Sequence, residues 1–428
     1  MTKLLDLLLC AVMLALGACV AAPLGLVLRL TRRRGPRRIV YLGTGQIAQV
    51  FPRNGANLFL SRECSDFDGY FEQMWNVHFP AGARGRLDLT PRHHLIDTDT
   101  PVPRQLGRRA SMALREMAFL LWLLPFAWRV RASILTATNP FLQGLNAAIA
   151  ARLLGLPYGV IITRDYDWDW SVLHKAAFGS VFGAHRLEKA IGRWVLRHAD
   201  VVLADRQYYR DYAVRSGAEP SRTIATRVLA DDAYAVARCD PSIRSRYGLS
   251  AGPLLVYVGR LDADKLVLDL VECAALVRER FPDAQLVCAG TGSLVETLRE
   301  RAHALDVQLH LLGAVDLSEL PTLVASSDAV VAPHMGYTLI EAGLTGVPIV
   351  TYDYDFHAEI IQNGVTGFLA PLGNVRALAD RVGDVLADPA TAREMGARLR
   401  QRLLAEHSRH AVIPLYQRAY TLALAHAA

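Results

Sequence analysis

The sequence predicts an α/β protein of two doubly wound domains facing a cleft, with an apolar anchor helix in front of them, and three observations predict it. Short apolar runs that read as buried parallel strands alternate with stretches carrying apolar residues at helical spacing. A cluster of chain breakers, Asp240, Pro241, Gly248, Gly252 and Pro253, divides that alternation into two series. The 428-residue length exceeds what one hydrophobic core supports. The expected boundaries are 1–30 for the anchor, 31–240 for the first domain, 241–408 for the second, and 409–428 for a terminal helix that packs back on the first.

The anchor comes first along the chain. Leu4 to Leu30 is almost wholly apolar, interrupted mainly by Asp6, Pro23 and Arg29, and at helical rise it is long enough for a single transmembrane span. Arg29, Arg32, Arg33, Arg34, Arg37 and Arg38 crowd its carboxyl side, whereas only Lys3 precedes it, so the charge asymmetry places the body of the chain on the cytoplasmic side of an inner membrane. A lipoprotein-type box at Leu16-Gly17-Ala18-Cys19 and a signal-peptidase site near Ala21 are the competing readings; the apolar run continues beyond both.

Composition narrows the rest. With 52% hydrophobic and 21% charged residues and no low-complexity tract, disorder and a multi-span membrane protein are both excluded. The formal charge of +6 is concentrated beside the anchor, where it suits anionic headgroups and gives no case for nucleic acid. Six cysteines without close or metal-ligand spacing predict neither a disulfide framework nor a metal site.

In the first series, strands are expected at Arg38 to Leu42, Ser133 to Ala137, Tyr158 to Thr163, Asp200 to Ala204 and Arg222 to Val228, with helices at Phe141 to Leu154 and Leu187 to His198. The second series places strands at Leu254 to Val258, Gln285 to Ala289, Gln308 to Leu312, Ala329 to Ala332 and Pro348 to Thr351. Its helices are Val267 to Arg280, Ser293 to Ala304, Leu317 to Ala325 and Thr338 to Leu344, with Ser293 positioned as a cap. Ala110 to Val130 is aromatic, very apolar and too short to span comfortably. It reads as a buried helix of the first domain, in preference to a surface dipping into the membrane interface.

Four motifs carry candidate chemistry. Gly43-Thr44-Gly45-Gln46-Ile47-Ala48 follows a strand and matches a dinucleotide fingerprint, but Pro52, Asn54 and Gly55 spoil the helix it needs. Val258-Gly259-Arg260-Leu261-Asp262-Ala263-Asp264-Lys265 follows the first strand of the second domain. Arg260 and Lys265 there offer two cations at a carboxyl sheet edge, where a pyrophosphate is accommodated. Ala289-Gly290-Thr291-Gly292-Ser293 repeats the strand, glycine turn and helix start, allowing close backbone approach. The fourth is the run from Ala332 and Pro333 through His334, Gly336 and Glu341 to Gly346-Val347-Pro348-Ile349-Val350.

That run, a strand ending at proline, a glycine turn, a helix bearing a glutamate and a Gly-x-Pro strand, resembles the family-4 retaining glycosyltransferases of glycosyltransferase group 1, which have GT-B architecture with two Rossmann-like domains. The resemblance extends to Gly367-Phe368-Leu369 and, more loosely, to Ala199 to Ala204. It implies that Gly259, Arg260, Lys265, Gly290 and Gly292 surround the donor diphosphate, and that Glu341 binds the ribose. Gly336, Tyr337, Thr338 and Leu339 would supply amides near phosphate and sugar, and Val315 would lie against the base. It implies no metal and no cofactor, the nucleoside diphosphate sugar being a substrate. The implied partners are that donor, a lipid-linked or glycan acceptor and the membrane.

Two departures from the family pattern stand out. Pro333 occupies the place of a second glutamate that contacts the transferred sugar, with His334 or Tyr337 as substitutes, and Leu266 rather than glycine follows Lys265. In the first domain Asp165, within Ile161 to Trp170, is the candidate for orienting an acceptor hydroxyl or the donor sugar, in a segment where many relatives carry a histidine. With Arg260 and Lys265 it makes up the expected catalytic set. The rival functions are a catalytically silent nucleotide-sugar-binding scaffold, motivated by Pro333, and an NAD-dependent oxidoreductase using the Gly43 to Ala48 turn.

Overall fold

The computed structural model describes residues 2–33, 35–44, 47, 66–82, 84–100, 108–173 and 185–426, and side chains throughout these except at 2–14, 16, 169, 172 and 173. Gly45, Gln46 and Ala48 of the Gly43 to Ala48 turn, and Glu63, Cys64 and His174, therefore lie outside the described residues. The chain divides into two compact units, residues 1–227 with 412–428 and residues 228–411.

The first unit is built on an eight-stranded sheet in the order β3-β4-β2-β1-β5-β6-β7-β8. Its strands are β1 (Arg38–Gly43), β2 (Gln73–His78), β3 (Gly85–Thr90), β4 (His93–Asp97), β5 (Ile134–Ala137), β6 (Tyr158–Ile162), β7 (Val201–Ala204) and β8 (Thr223–Ala225). All run parallel except β3, which pairs antiparallel with β4. The central strands are buried on both faces, which is why they read as unbroken apolar runs. β2, β3 and β4 escape that reading because they carry Gln, Asn, Asp and His between their apolar residues.

The final helix, Arg409–His426, returns the chain to this unit. Ile413, Ala419, Tyr420 and Ala423 join Ile39, Tyr41, Phe67, Phe71 and Met74 in one core. The Tyr41 and Tyr420 hydroxyls meet at 2.6 Å, so the buried phenols satisfy one another.

The amino-terminal helix runs Thr2–Thr31 with Pro23 inside it. Its later half is a packed part of the first unit: Ala21 is buried, Gly17 lies against Met117 and Gly25 against Leu153. A face of Gly17 to Thr31 thus covers protein. Val20, Leu26, Val27 and Leu30 on this stretch are exposed. The basic residues that follow are also partly structural: Arg32 donates to the Gly155 and Ala132 carbonyls, Arg37 lies over the Tyr70 ring, and Arg38 pairs with Glu72.

Among the described residues one helix, Ala110–Arg129, is long and apolar enough to cross a membrane by length and composition. It belongs to the helix Arg108–Arg129, which turns Phe119, Leu123, Leu124, Phe126 and Ala127 inward. Phe119 stacks on Phe79 at 4.2 Å, while Trp128 stays exposed.

The second unit holds a six-stranded sheet, all parallel, in the order β11-β10-β9-β12-β13-β14. The strands are β9 (Leu254–Val258), β10 (Gln285–Ala289), β11 (Gln308–Gly313), β12 (Ala329–Ala332), β13 (Ile349–Asp353) and β14 (Phe368–Pro371). The chain winds outward from β9 to β11, then restarts at β12 on the other side of β9. The β9/β12 junction is thus the point where strand order reverses, the place at which open α/β sheets take ligands. This unit begins at Val228, ahead of the breaker cluster. His407 Nδ1 donates to the Val228 carbonyl at 2.8 Å, Arg400 donates to that of Ala235 at 2.7 Å, and Tyr234 is buried.

Candidate functional site

The site in the second unit is assembled by loops at the carboxyl edge of its sheet. After β9 the chain runs through Gly259 and Arg260 into a single 3-10 turn, Ala263–Lys265, closed by Leu266 in the left-handed region at φ 53°. A glycine there would avoid the Cβ cost that Leu266 bears.

Arg260 and Lys265 arrive together, but not as unpaired cations. The Arg260 guanidinium donates to the carboxylates of Asp262 and Asp264, and Lys265 Nζ stands 3.9 Å from Asp264 Oδ2. The four side chains of this loop sum to zero formal charge. Arg260 is 57% exposed, whereas Lys265, at 15%, is held closer to the fold. Asp262 is anchored in turn: its Oδ1 accepts from the backbone N–H and the hydroxyl of Ser293, both at 2.8 Å. These bonds, with Arg260 beside it, hold the Asp262 carboxyl below the usual carboxylate range.

The bond to Asp262 corrects the expected role of Ser293. The following helix is Val295–Ala304, with Leu294 at its N-cap, and the Ser293 side chain ties two loops together instead of capping.

Gly290 and Gly292 are also explained by packing. Leu261 N–H donates to the Thr291 carbonyl and Leu294 N–H to that of Leu261, so the loops after β9 and β10 zip together. A Cβ on Gly290 would fall on the Gly259 carbonyl oxygen, and one on Gly292 on the Leu261 backbone. This loop-to-loop approach requires a residue without a Cβ at both positions. Gly336 differs: a Cβ there would meet nothing within 4 Å.

Gly336 is the N-cap of the helix Tyr337–Leu344, and its carbonyl accepts from the Leu339 N–H at 3.2 Å. The residues around it are held from two sides. His334 Nδ1 donates to the Asp264 carbonyl at 2.7 Å, fastening the β12 loop to the Lys265 loop, and His334 Nε2 lies 3.6 Å from Asp355 Oδ2. The Thr351 hydroxyl donates to the Ala332 carbonyl, and its oxygen lies 2.6 Å from Nδ1 of the buried His357, whose Nε2 meets the Met335 carbonyl at 3.0 Å. Burial, with His334 nearby, pushes the His357 imidazole down to about 4, so it stays neutral at neutral pH.

Arg260, Lys265 and His334 are thereby brought to one stretch of the sheet edge, beside the open start of the helix that carries Glu341. Tyr337 and Thr338 lie in its first turn, and Leu339 and Glu341 are buried. Val315 lies half-buried after Gly313, and none of these contacts involves it.

In the first unit Asp165 makes structural contacts. It is 7% exposed, with Oδ1 accepting from the Trp168 N–H at 2.9 Å and Oδ2 facing the Arg215 guanidinium at 3.3 Å. It thus caps the helix Tyr166–Leu173. Burial raises its carboxyl above the usual value, opposed mainly by the Trp168 hydrogen bond and Arg215.

Sequence reasoning passed over a second pair, His78 and Asp97, because they are 19 residues apart on two unrecognised strands. They close the carboxyl ends of β2 and β4 in register with Gly43 at the end of β1.

Residues 241–402 match the family model for glycosyl transferases group 1. The second unit belongs to that family. Over 317 residues, 69% of this chain and 80% of the relative, the sequence is 27% identical to alpha-D-kanosaminyltransferase of Streptomyces kanamyceticus. Over 266 residues, 58% of this chain and 65% of the relative, it is 30% identical to a GDP-mannose-dependent alpha-(1-6)-phosphatidylinositol monomannoside mannosyltransferase of Mycolicibacterium smegmatis. Among solved structures, Anabaena HepE in complex with UDP superposes with a TM-score of 0.69 at 15% identity, covering 90% of this chain and 99% of that one. That likeness gives a GT-B-like fold with two Rossmann-like sheets. The group 1 unit contains every expected donor residue, and membership supports a glycosyltransferase role for the chain.

Proposed function

We propose that the protein transfers a sugar from a nucleoside diphosphate sugar, with retention of anomeric configuration, to a lipid-linked or glycan acceptor near a membrane, in surface polysaccharide or glycolipid assembly. The observation that carries this reading is the cluster of Arg260, Lys265 and His334 tied to one sheet edge beside the open Gly336 helix start, inside a group 1 unit. The sugar C1–O bond to phosphate breaks with its electron pair going to the diphosphate. The acceptor oxygen bonds C1 from the same face and loses its proton to that departing phosphate. Arg260, Lys265 and the first amides of Tyr337–Leu344 face the charge that accumulates. This reading assigns the neutralisation to side chains and amides, and invokes no metal.

The donors named for relatives, with UDP bound to Anabaena HepE and GDP-mannose used by the mycobacterial enzyme, set the choice of candidates. Membrane proximity is supported by the apolar amino-terminal helix, its exposed Leu26, Val27 and Leu30, and the exposed Trp128.

Thermal-shift and product assays with UDP, GDP, ADP and CMP sugars test the reading. One donor should raise Tm by mass action and yield a transfer product, and Lys265→Ala should lower donor kcat/KM about 100-fold with the fold intact. Binding without product in the wild type would point to a silent scaffold, and a wild-type rate in Lys265→Ala would remove that residue from the site.

A further inference from the structure

Ligands of open α/β sheets gather at the carboxyl edge, yet the amino edge of the first unit carries a charged corner of its own. Three helices end there: the amino-terminal helix at Thr31, the helix Leu142–Leu154, which leads into β6, and the helix His185–His198, which leads into β7. Their ends meet. A Cβ on Gly155, which closes the second helix, would come within 2.7 Å of Arg29 Nε, and the Arg152 guanidinium lies 5.1 Å from the centroid of the Trp194 ring on the third. Arg193 lies against Gly217, just past the end of the helix Gln207–Arg215.

Arg29, Arg33, Arg152, Arg193 and Arg197 are all exposed, and none of the five forms an ion pair among the described residues. Asp200, which precedes β7, turns its carboxylate to the Tyr158 N–H at 2.9 Å. Exposed arginines of the second unit behave differently: Arg246, Arg301, Arg376 and Arg381 each pair with an aspartate or glutamate. Large apolar groups stand among the five cations, for Leu30 is 77% exposed and Trp194 37%.

A cation in the last turn of a helix complements the helix dipole, which accounts for Arg29, Arg152 and Arg197 one at a time. It leaves Arg33 and Arg193 unexplained, and it gives no reason for a leucine and a tryptophan to stand in water beside them. A bilayer surface accounts for both kinds of residue. The amphipathic indole settles at headgroup depth, and arginine stems lie along apolar surface while their guanidinium groups reach lipid phosphate. The charge of the corner is complementary to anionic headgroups, and the exposed Leu26 and Val27 continue the apolar strip from Leu30 along the amino-terminal helix.

We propose that Arg29, Leu30, Arg152, Arg193, Trp194 and Arg197 form a docking surface for an anionic phospholipid bilayer, with Trp194 at headgroup depth and the arginines on lipid phosphates. The proposal rests on the membrane-proximal reading of function and adds the lipid class and the face of the fold that meets it.

The test dilutes the full chain from detergent onto vesicles of phosphatidylcholine alone or mixed with phosphatidylglycerol and measures partition by co-sedimentation. The wild type is expected to bind the mixed vesicles about ten-fold more tightly, with the preference shrinking at high salt. Arg152→Glu with Arg193→Glu should abolish that preference while binding to phosphatidylcholine stays within about two-fold of wild type. Arg193→Gln with Arg197→Gln, a milder change on the exposed helix face, should reduce the preference about three-fold or more. Brominated phosphatidylglycerol should quench tryptophan fluorescence less in Trp194→Phe than in the wild type. An equal affinity of the wild type for both vesicles, an unchanged preference in both double variants, or tighter binding of duplex DNA than of mixed vesicles overturns the surface. Partition requires no donor, so the two readings fail separately. A chain that prefers phosphatidylglycerol but transfers no sugar keeps the surface and loses the transfer reading, and an active chain indifferent to phosphatidylglycerol does the reverse.

Discussion

Gly290, Gly292 and Gly336 look alike in the sequence, each lying in a turn between a strand and a helix, yet their surroundings separate them. Gly292→Ala drives a methyl group into the Leu261 backbone, which has no flexible end to give way. It should destabilise the second unit by about 1–3 kcal/mol, the usual size of an overpacking cost. Gly336→Ala meets open space and should cost less stability than Gly292→Ala, since no clash is created. If that space takes the donor, the same substitution weakens nucleotide binding. Paired calorimetry and nucleotide titration check both, and a reversed order of stabilities would show that the loops after β9 and β10 can separate.

For the helix starting at Tyr166, the Asp165 cap predicts a split between Asn and Ala. Asp165→Asn keeps an oxygen for the Trp168 amide and should cost little, whereas Asp165→Ala should cost about 1 kcal/mol. Neither should change kcat for transfer beyond about two-fold if the residue is purely structural. A large kcat loss in Asp165→Asn at unchanged stability would restore it to the catalytic set.

The β12 and β13 ends predict a pH dependence through His357. Its folded value near 4 lies below the ordinary 6.5, so between those values the unfolded chain binds a proton that the native imidazole refuses. Stability from this group is complete above about pH 6.5 and falls as pH drops towards 4. Urea unfolding at pH 7 and pH 5 should show the second unit losing on the order of 1–3 kcal/mol, and His357→Gln should flatten that slope. An unchanged slope in the variant assigns the effect to other groups.

At the scale of the whole molecule, the amino-terminal helix has two jobs on one cylinder. Gly17, Ala21 and Gly25 face the first unit, while Val20, Leu26, Val27 and Leu30 do not. Leu26→Asp with Leu30→Asp should therefore preserve the fold and reduce co-sedimentation with phosphatidylglycerol vesicles at least ten-fold, since two buried apolar contacts with lipid are replaced by like-charge repulsion. Vesicle binding at the wild-type level would remove this face from the membrane-binding surface.

The alternation of strands and helices was legible from residue order because a strand buried on both faces has to be apolar throughout, and β1, β5 to β7, β9, β10 and β12 to β13 are such strands. Local pattern also brought Arg260, Lys265, Gly336 and Glu341 to notice as one motif set. What side chains do once in place was decided by atoms distant in sequence: Ser293 turns to Asp262, Asp165 to Arg215, and His78 to Asp97. A hydrogen bond or a steric gap depends on separations of a few ångströms in space, and those are fixed only when the strands that carry the partners are laid side by side.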